Sequence, residues 1–294
     1  MWDPRRQHLF LVHDYDLAAT LSSGQAFRWQ PCRGGWEGVL GPNWVRLEQT
    51  HVGVAARTAA PVQEWQWLAH FLQINVELAS VTSSFPDDEP MRAAVTACRG
   101  LRLLRQEPWE CLASFILSST KQIVQIQQIV GLLCDRFGEP LDVPSGHRPL
   151  FSFPTAERLA SCTEQDLRDC KMGFRAPYLL HTAKNIATGA VNLHSLHARS
   201  FEEARSELLK LPGVGEKIAN CVLLFAYGFQ EAFPVDVWVM KALRELYFPK
   251  RRIGMKRVAR FTATHFGPNA GYAQQYLFHY MRTRQDRRLQ LATT

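Results

Sequence analysis

Lys217 and Asp236 are the residues of this 294-residue chain whose setting points to covalent chemistry. Lys217 falls in the first turn of a helix that Ile218, Ala219, Val222, Phe225 and Ala226 predict from Glu216 to a capping Gly228. A lysine placed only for solvation belongs at the other end of a helix. At this end the dipole and any burial disfavour the ammonium form and favour a free, nucleophilic amine. Asp236 follows Pro234 and Val235 and precedes Val237, Met240, Leu243 and Leu246, whose spacing predicts a further helix to Tyr247. Its ordinary role there is the N-cap. Capping is compatible with a second role, because a carboxylate fixed beside an amine stabilises a developing cation and assists proton transfer.

The elements before Lys217 must hold it. Ser200 followed by Glu203 has the form of a capping box and starts a helix over Phe201 to Lys210, with Phe201, Ala204, Leu208 and Leu211 on one face. Pro212 to Gly215 interrupt that spacing, and Gly213 and Gly215 supply the positive φ that a sharp reversal requires. The result is helix, hairpin, helix. Free amides in such a hairpin, with the positive end of the following helix dipole, suit a phosphate oxygen and grip a nucleic-acid backbone without reading its sequence. A plain turn packing two core helices explains L-P-G-V-G equally well, and it is the lysine and the aspartate that favour the first reading.

Taken together, Leu211 to Asp236 resembles the helix-hairpin-helix and Gly/Pro-Asp signature of base-excision DNA glycosylases, and a lysine at the position of Lys217 resembles the bifunctional members that also cleave the backbone. Similarity to the 8-oxoguanine DNA glycosylase/AP lyase family runs from roughly Leu21 to Gln285, through SSGQAFRW, GLRLLRQEPWECLASFILSS, MGFRAPY and AGYAQQYLF. The resemblance implies an α+β fold: a small antiparallel β domain with connecting helices over 1–105, then a mostly helical glycosylase body over 106–294 with its hairpin at 211–215. It also implies the reaction. Lys217 would attack C1′ of a flipped 8-oxoguanine nucleotide while Asp236 stabilises the cationic sugar, and the resulting Schiff base would allow β-elimination at the abasic site.

The same resemblance assigns the pocket. The carbonyl of Gly24 would accept the hydrogen on N7 of 8-oxoguanine, which guanine lacks, so an acceptor–acceptor clash would reject the normal base. Cys221 and Phe278 would cover the two faces of the purine and Gln274 would read its Watson–Crick edge. Read without the family, Gly24 is a turn glycine and Cys221 and Phe278 are core residues. On the DNA side, Thr120 or Lys121 would fill the hole left by the flipped nucleotide, where the family usually has asparagines. Gln125 stands where animal members carry an arginine that reads the opposing cytosine, so strict opposite-base specificity is not expected. Phe174 would wedge beside the opposing base and Arg175 would hydrogen-bond it; the plainer reading is a structural aromatic and a surface arginine. Gly213 and Gly215 would bind backbone phosphate. Trp238 replaces a family histidine that contacts phosphate, and supplies one N–H donor without charge.

Composition narrows the class. A formal net charge of +7 suits a polyanionic partner, and 46% hydrophobic residues suit a globular protein. No run of about 18 apolar residues is present, and Met1 to Phe10 carries charge, so no membrane span or signal peptide is expected. The expectation is an intracellular, DNA-associated monomer acting on double-stranded DNA that contains 8-oxoguanine or abasic sites. Seven scattered cysteines argue against a disulfide framework, and none follows Cys221, where iron–sulfur relatives cluster four. His194 and His197 form the one close histidine pair, with no further ligand at zinc spacing. No metal or organic cofactor is expected, apart from a structural cation that the hairpin carbonyls could hold.

Short runs of Val, Leu, Phe and Trp from Leu9 to about Val54 predict strands and turns, and helical spacing takes over from Trp65 and Leu78 onward. Helices are predicted over Met91 to Cys98, from Pro108, and over Ile123 to Phe137, with the domain seam near residues 75 to 105. Lys250, Arg251, Arg252, Lys256, Arg257 and Arg260 form one basic cluster and Arg282, Arg284, Arg287 and Arg288 another. Both suit phosphate or a solvated face. Two other functions fit parts of this pattern: a monofunctional alkylbase glycosylase in which water attacks, and a non-catalytic helix-hairpin-helix module that only holds DNA.

Overall fold

A computed structural model describes residues 3–249 and 253–292, with the side chains beyond Gln285 outside the described part. Lys250, Arg251 and Arg252, and the side chains of Arg287 and Arg288, therefore lie outside the described residues.

Strands β1 (Gln7–Leu11), β2 (Trp29–Cys32), β3 (Gly35–Leu40), β4 (Asn43–Gln49) and β5 (Gly53–Thr58) form one antiparallel sheet in the order β1-β5-β4-β3-β2. Val45 and Leu47 lie two apart on β4, and Leu47 pairs with Ala56 of β5. A period of two places such residues on one face, and they are buried with Val54 and Trp29. The Gln66–Leu72 helix covers that face, with Phe71 stacked on Trp29 at 5.8 Å between ring centroids.

One expectation fails here. Leu17–Ser22 is a helix inside the stretch read as strands and turns. Asp16 caps it by accepting from the Ala19 amide at 2.8 Å, and six residues are too few for helical periodicity to show in a sequence.

The helical body is built on Pro108–Leu117. Proline suits its first turn, Glu107 accepts from the amides of Trp109 and Glu110, and every side chain from Cys111 to Leu117 is buried. Ile123–Phe137, Ala176–Ala187 and Glu216–Val222 pack on it, and Phe201–Leu209 and the long Ala270–Ala292 helix share its core. The two cores interlock rather than hinge. Leu104 belongs to the sheet core while Leu101 and Leu103 belong to the helical one, and Phe27 reaches from beside β2 into the helical core.

The Ser200 capping box forms as expected, with Ser200 Oγ bonded to Glu203 in both directions, and Gly228 ends its helix at φ +83°. Two further details correct the sequence reading. The last turns of two helices, Leu223–Tyr227 and Leu243–Tyr247, are wound as π-helix rather than α-helix. In the hairpin, Gly213 takes φ +77°, but Gly215 is extended at φ −97°. Gly215 is the N-cap of the Lys217 helix, and an N-cap requires extended backbone. No atom lies within 4 Å of where its Cβ would stand, so what glycine provides there is open access to the backbone.

Candidate active site

Lys217, one residue into the Glu216–Val222 helix, lies half-buried on the wall of a cavity of about 820 Å³. Its Nζ donates to Ser118 Oγ at 2.9 Å and stands 5.2 Å from the centre of the Phe115 ring. Asp236 lines the same cavity and caps Val237–Ala242, accepting on Oδ1 from the amides of Trp238 at 3.0 Å and Val239 at 2.8 Å. The two groups form no ion pair within 4.0 Å, yet Asp236 feels the charge of Lys217. Burial pushes the Asp236 carboxyl above its ordinary value of 3.8, and the Val239 amide and the Lys217 charge pull it partly back. An amine and a carboxylate thus share one wall without neutralising each other.

Cys221 follows Lys217 by one turn and is buried at the cavity wall. Burial pushes its thiol up to about 11, against the pull of Lys217, so at neutral pH it offers a polarisable thiol face rather than a thiolate. Phe278 and Gln274 reach the cavity from the Ala270–Ala292 helix, one turn apart. Gln274 is only 3% exposed, and its Oε1 accepts no hydrogen bond among the described residues. A buried acceptor left unpaired costs on the order of 1–3 kcal/mol, which a ligand donor would relieve. The volume lies within the roughly 300–1,000 Å³ of small-molecule pockets, enough for a purine with its sugar.

Gly24 also lines the cavity. Its φ is +75°, and an added Cβ would stand 2.7 Å from Ile123 Cδ1 and 3.6 Å from Phe278 Cε1. The loop is tied on both flanks. Gln275 donates to Ser23 O, Arg282 donates to Ser22 O, and buried Gln25 bridges Thr20 O, Arg102 O and the Leu104 amide. A carbonyl carried by so fixed a loop is suited to discriminating a base. Gly24→Ala is therefore expected to slow excision from 8-oxoguanine duplexes by roughly tenfold or more, from the ~1–2 kcal/mol of left-handed strain and the shift forced on the Ile123 side chain. Cleavage of preformed abasic duplexes, which needs no base recognition, should stay within a few-fold of wild type. Equal losses in the two single-turnover assays would place Gly24 outside base recognition.

Thr120 and Lys121 also line the cavity, as does Trp238, whose ring lies 5.6 Å from Lys241 Nζ. Thr120 is exposed, with φ +57°. Phe174 is 56% exposed, as a wedge requires. Arg175 is not the surface arginine of the plainer sequence reading: it is 3% exposed, and its guanidinium donates to Ser119 O and, at 2.6 Å, to Thr120 Oγ1. Burial depresses its pKa. It is stacked 4.2 Å from the Phe174 ring centre, so the phenylalanine and the arginine form one unit with the 118–120 turn. Gln125 lies outside the cavity, exposed, and its Oε1 accepts from the Gln122 amide as half of a capping box. Gly213 and Gly215 are exposed away from the cavity, and Gly213 packs closely on Tyr178.

Lys256, Arg257 and Arg260 are exposed on the Met255–His265 helix. Arg282 instead lines the cavity and supports the Gly24 loop. Among the described residues no group of three or more His, Cys, Asp or Glu could hold a metal ion, and no helix is long and apolar enough to cross a membrane. Sequence reasoning assigned no role to Ser118, Phe115, Gln25 or Gln275. No periodicity or motif distinguishes a serine that touches a lysine 99 positions away.

The chain is similar to known proteins. The 8-oxoguanine DNA glycosylase N-terminal domain family matches residues 9–112, and the HhH-GPD superfamily of base excision DNA repair proteins matches residues 113–266. The chain is 30% identical to a probable N-glycosylase/DNA lyase of Methanothermobacter thermautotrophicus, over 92% of this chain and 95% of the relative. It is 32% identical to the Arabidopsis thaliana N-glycosylase/DNA lyase OGG1, over 94% and 80%. A solved structure of the Clostridium acetobutylicum 8-oxoguanine glycosylase/lyase, bound to double-stranded DNA with cytosine opposite 8-oxoguanine, superposes with a TM-score of 0.87 at 30% identity, covering 92% of this chain and 93% of that one.

Proposed function

This chain belongs to the HhH-GPD base-excision repair superfamily, in its 8-oxoguanine DNA glycosylase branch, and from that premise we propose the roles of its residues in the reaction. It is a bifunctional 8-oxoguanine DNA glycosylase and AP lyase. Its substrate is DNA carrying the lesion, flipped from the duplex at a cost of a few kcal/mol that pocket and backbone contacts repay. Cys221 and Phe278 hold the purine between them, Gln274 takes its edge, and the Gly24 carbonyl accepts from N7. Thr120 or Lys121 fills the vacated stack, Phe174 wedges the opposing base, and Gly213, Gly215 and Trp238 hold phosphate.

In the first step the Lys217 nitrogen forms a bond to C1′ as the C1′–N9 bond breaks. The electron pair leaves with the base, and the proton shed by the nitrogen balances it. The Asp236 carboxylate stabilises the cationic sugar throughout. Opening of the sugar makes a Schiff base, which acidifies the C2′ hydrogen and expels the 3′ phosphate by β-elimination. The observation that carries this reading is a lysine and an unneutralised carboxylate on the wall of one cavity that Gln274, with an unanswered acceptor, also lines. The reaction needs no metal or organic cofactor, and with no cysteine after Cys221 the chain is read as lacking an iron–sulfur cluster. A hairpin-bound structural cation remains part of the proposal, as do a monomeric state and action wherever the cell keeps its DNA.

The test is single-turnover release of 8-oxoguanine from duplexes pairing it with each of the four bases, beside an unmodified G·C duplex. Release only from the lesion duplexes is expected, and equal release from the unmodified one would overturn the reading. With Arg175 committed to the 118–120 turn and Gln125 to its helix cap, neither of these two residues is a free bidentate reader of the opposing base. Such a contact discriminates by about 1–3 kcal/mol, so the four rates should spread by less than roughly tenfold.

A further inference from the structure

The group in contact with the reactive nitrogen is a serine hydroxyl with no proton to spare. Ser118 Oγ donates its one hydrogen to Phe115 O at 2.7 Å, and Lys217 Nζ donates to Ser118 Oγ at 2.9 Å. We propose that Ser118 is a positioning residue for the nucleophile, an obligate acceptor that holds one N–H of Lys217 and so turns the amine lone pair toward the cavity and C1′. This rests on the reading of Lys217 as the nucleophile.

The chemistry follows from proton counting. A deprotonated lysine amine has two N–H bonds and one lone pair, and a hydroxyl that donated to it would occupy that lone pair and block attack. Here the hydroxyl proton is spent on a main-chain carbonyl of the same helix, so the nitrogen meets only an acceptor. The Phe115 ring, 5.2 Å from Nζ, offers no hydrogen-bond donor of its own.

The platform is rigid. Ser118 is 9% exposed and C-caps the Pro108–Leu117 helix, whose residues from Cys111 onward are all buried. The next turn is held as firmly: Thr120 keeps φ +57°, a conformation costly for a β-branched residue, under hydrogen bonds from buried Arg175 to Ser119 O and Thr120 Oγ1. The oxygen that orients the amine therefore sits two residues from the tip that meets DNA.

The experiment measures borohydride trapping on a preformed abasic duplex under single turnover, which bypasses base recognition, together with the Kd for an uncleavable abasic analogue and Tm. Ser118→Ala is expected to trap roughly tenfold more slowly, the worth of one hydrogen bond to a charged or reactive group, with Kd and Tm near wild type. Ser118→Thr, which keeps the hydroxyl, should restore the rate. Ser118→Cys, close in size but a poor acceptor, should stay slow, and serves if the alanine variant does not fold. Wild-type trapping by Ser118→Ala or Ser118→Cys, or a threonine variant as slow as alanine with unchanged Kd and Tm, overturns the proposal. Lys217→Gln runs alongside: trapping by that variant would instead remove the underlying reading of the nucleophile.

Discussion

Lys217→Gln is expected to abolish both strand cleavage and the borohydride-trapped adduct, a loss of roughly 10⁴-fold or more, as befits removal of a covalent nucleophile. Glutamine keeps an N–H that can reach Ser118 Oγ, and the residue is half-buried on a helix whose core side is Ile218, Ala219 and Val222, so folding should survive. Its Tm should therefore lie near that of wild type, and binding to lesion duplexes should persist. Reduction of an imine by borohydride captures only a lysine bonded to the sugar, which separates this reaction from attack by water. A variant that still released 8-oxoguanine but gave no adduct would point to the water mechanism of a monofunctional enzyme. Undiminished cleavage would transfer the chemistry to another amine. A wild-type protein that bound abasic DNA without scission or base release would be a holding module and no enzyme.

Asp236→Asn should separate two roles that one carboxylate combines. Asparagine caps a helix about as well as aspartate, so the amides of Trp238 and Val239 remain satisfied. The charge that stabilises the cationic sugar is lost, and excision should fall by about 10²–10³-fold. Stability should move the other way. The folded chain holds this carboxyl above its ordinary value through burial, so it binds a proton more readily than the unfolded chain. The stability linked to this group is present below the unfolded value of 3.8 and is lost as pH rises through the higher folded value. At neutral pH the ionised carboxylate is thus a net cost to folding, kept for its charge, and Asp236→Asn should melt at or above the wild-type temperature. For the same reason the excision rate of the wild type should fall with acidification at a pH above 3.8, and the variant should lack that limb. An asparagine variant as fast as wild type across that range would leave Asp236 a cap alone.

Much of this is legible in the amino-acid order. Helix starts at Ser200 and Pro108 are written in local chemistry, a capping box and a proline in a first turn, and local chemistry needs no partner to act. The hairpin, Lys217 and Asp236 stand out because their roles depend on position relative to helix ends, which sequence spacing reveals. Gly215 is only half legible: its place is right, but its backbone is that of an N-cap, and φ at a glycine is set by the helix it caps. The Leu17–Ser22 helix escapes a sequence reading because its single cap outweighs a pattern too short to display.

What the chain determined by itself was an amine at one helix start, a carboxylate at the next, and a glycine reversal between helices, since each depends on bonding within a few residues. Tertiary structure alone decided that the amine and the carboxylate meet Gly24, Gln274 and Phe278 around one hollow while the glycine reversal faces away from it, that Arg175 is turned inward, and that Ser118 receives the lysine. Contacts across so many positions depend on how two interlocked cores pack, and packing is a property of the whole chain rather than of any stretch of it.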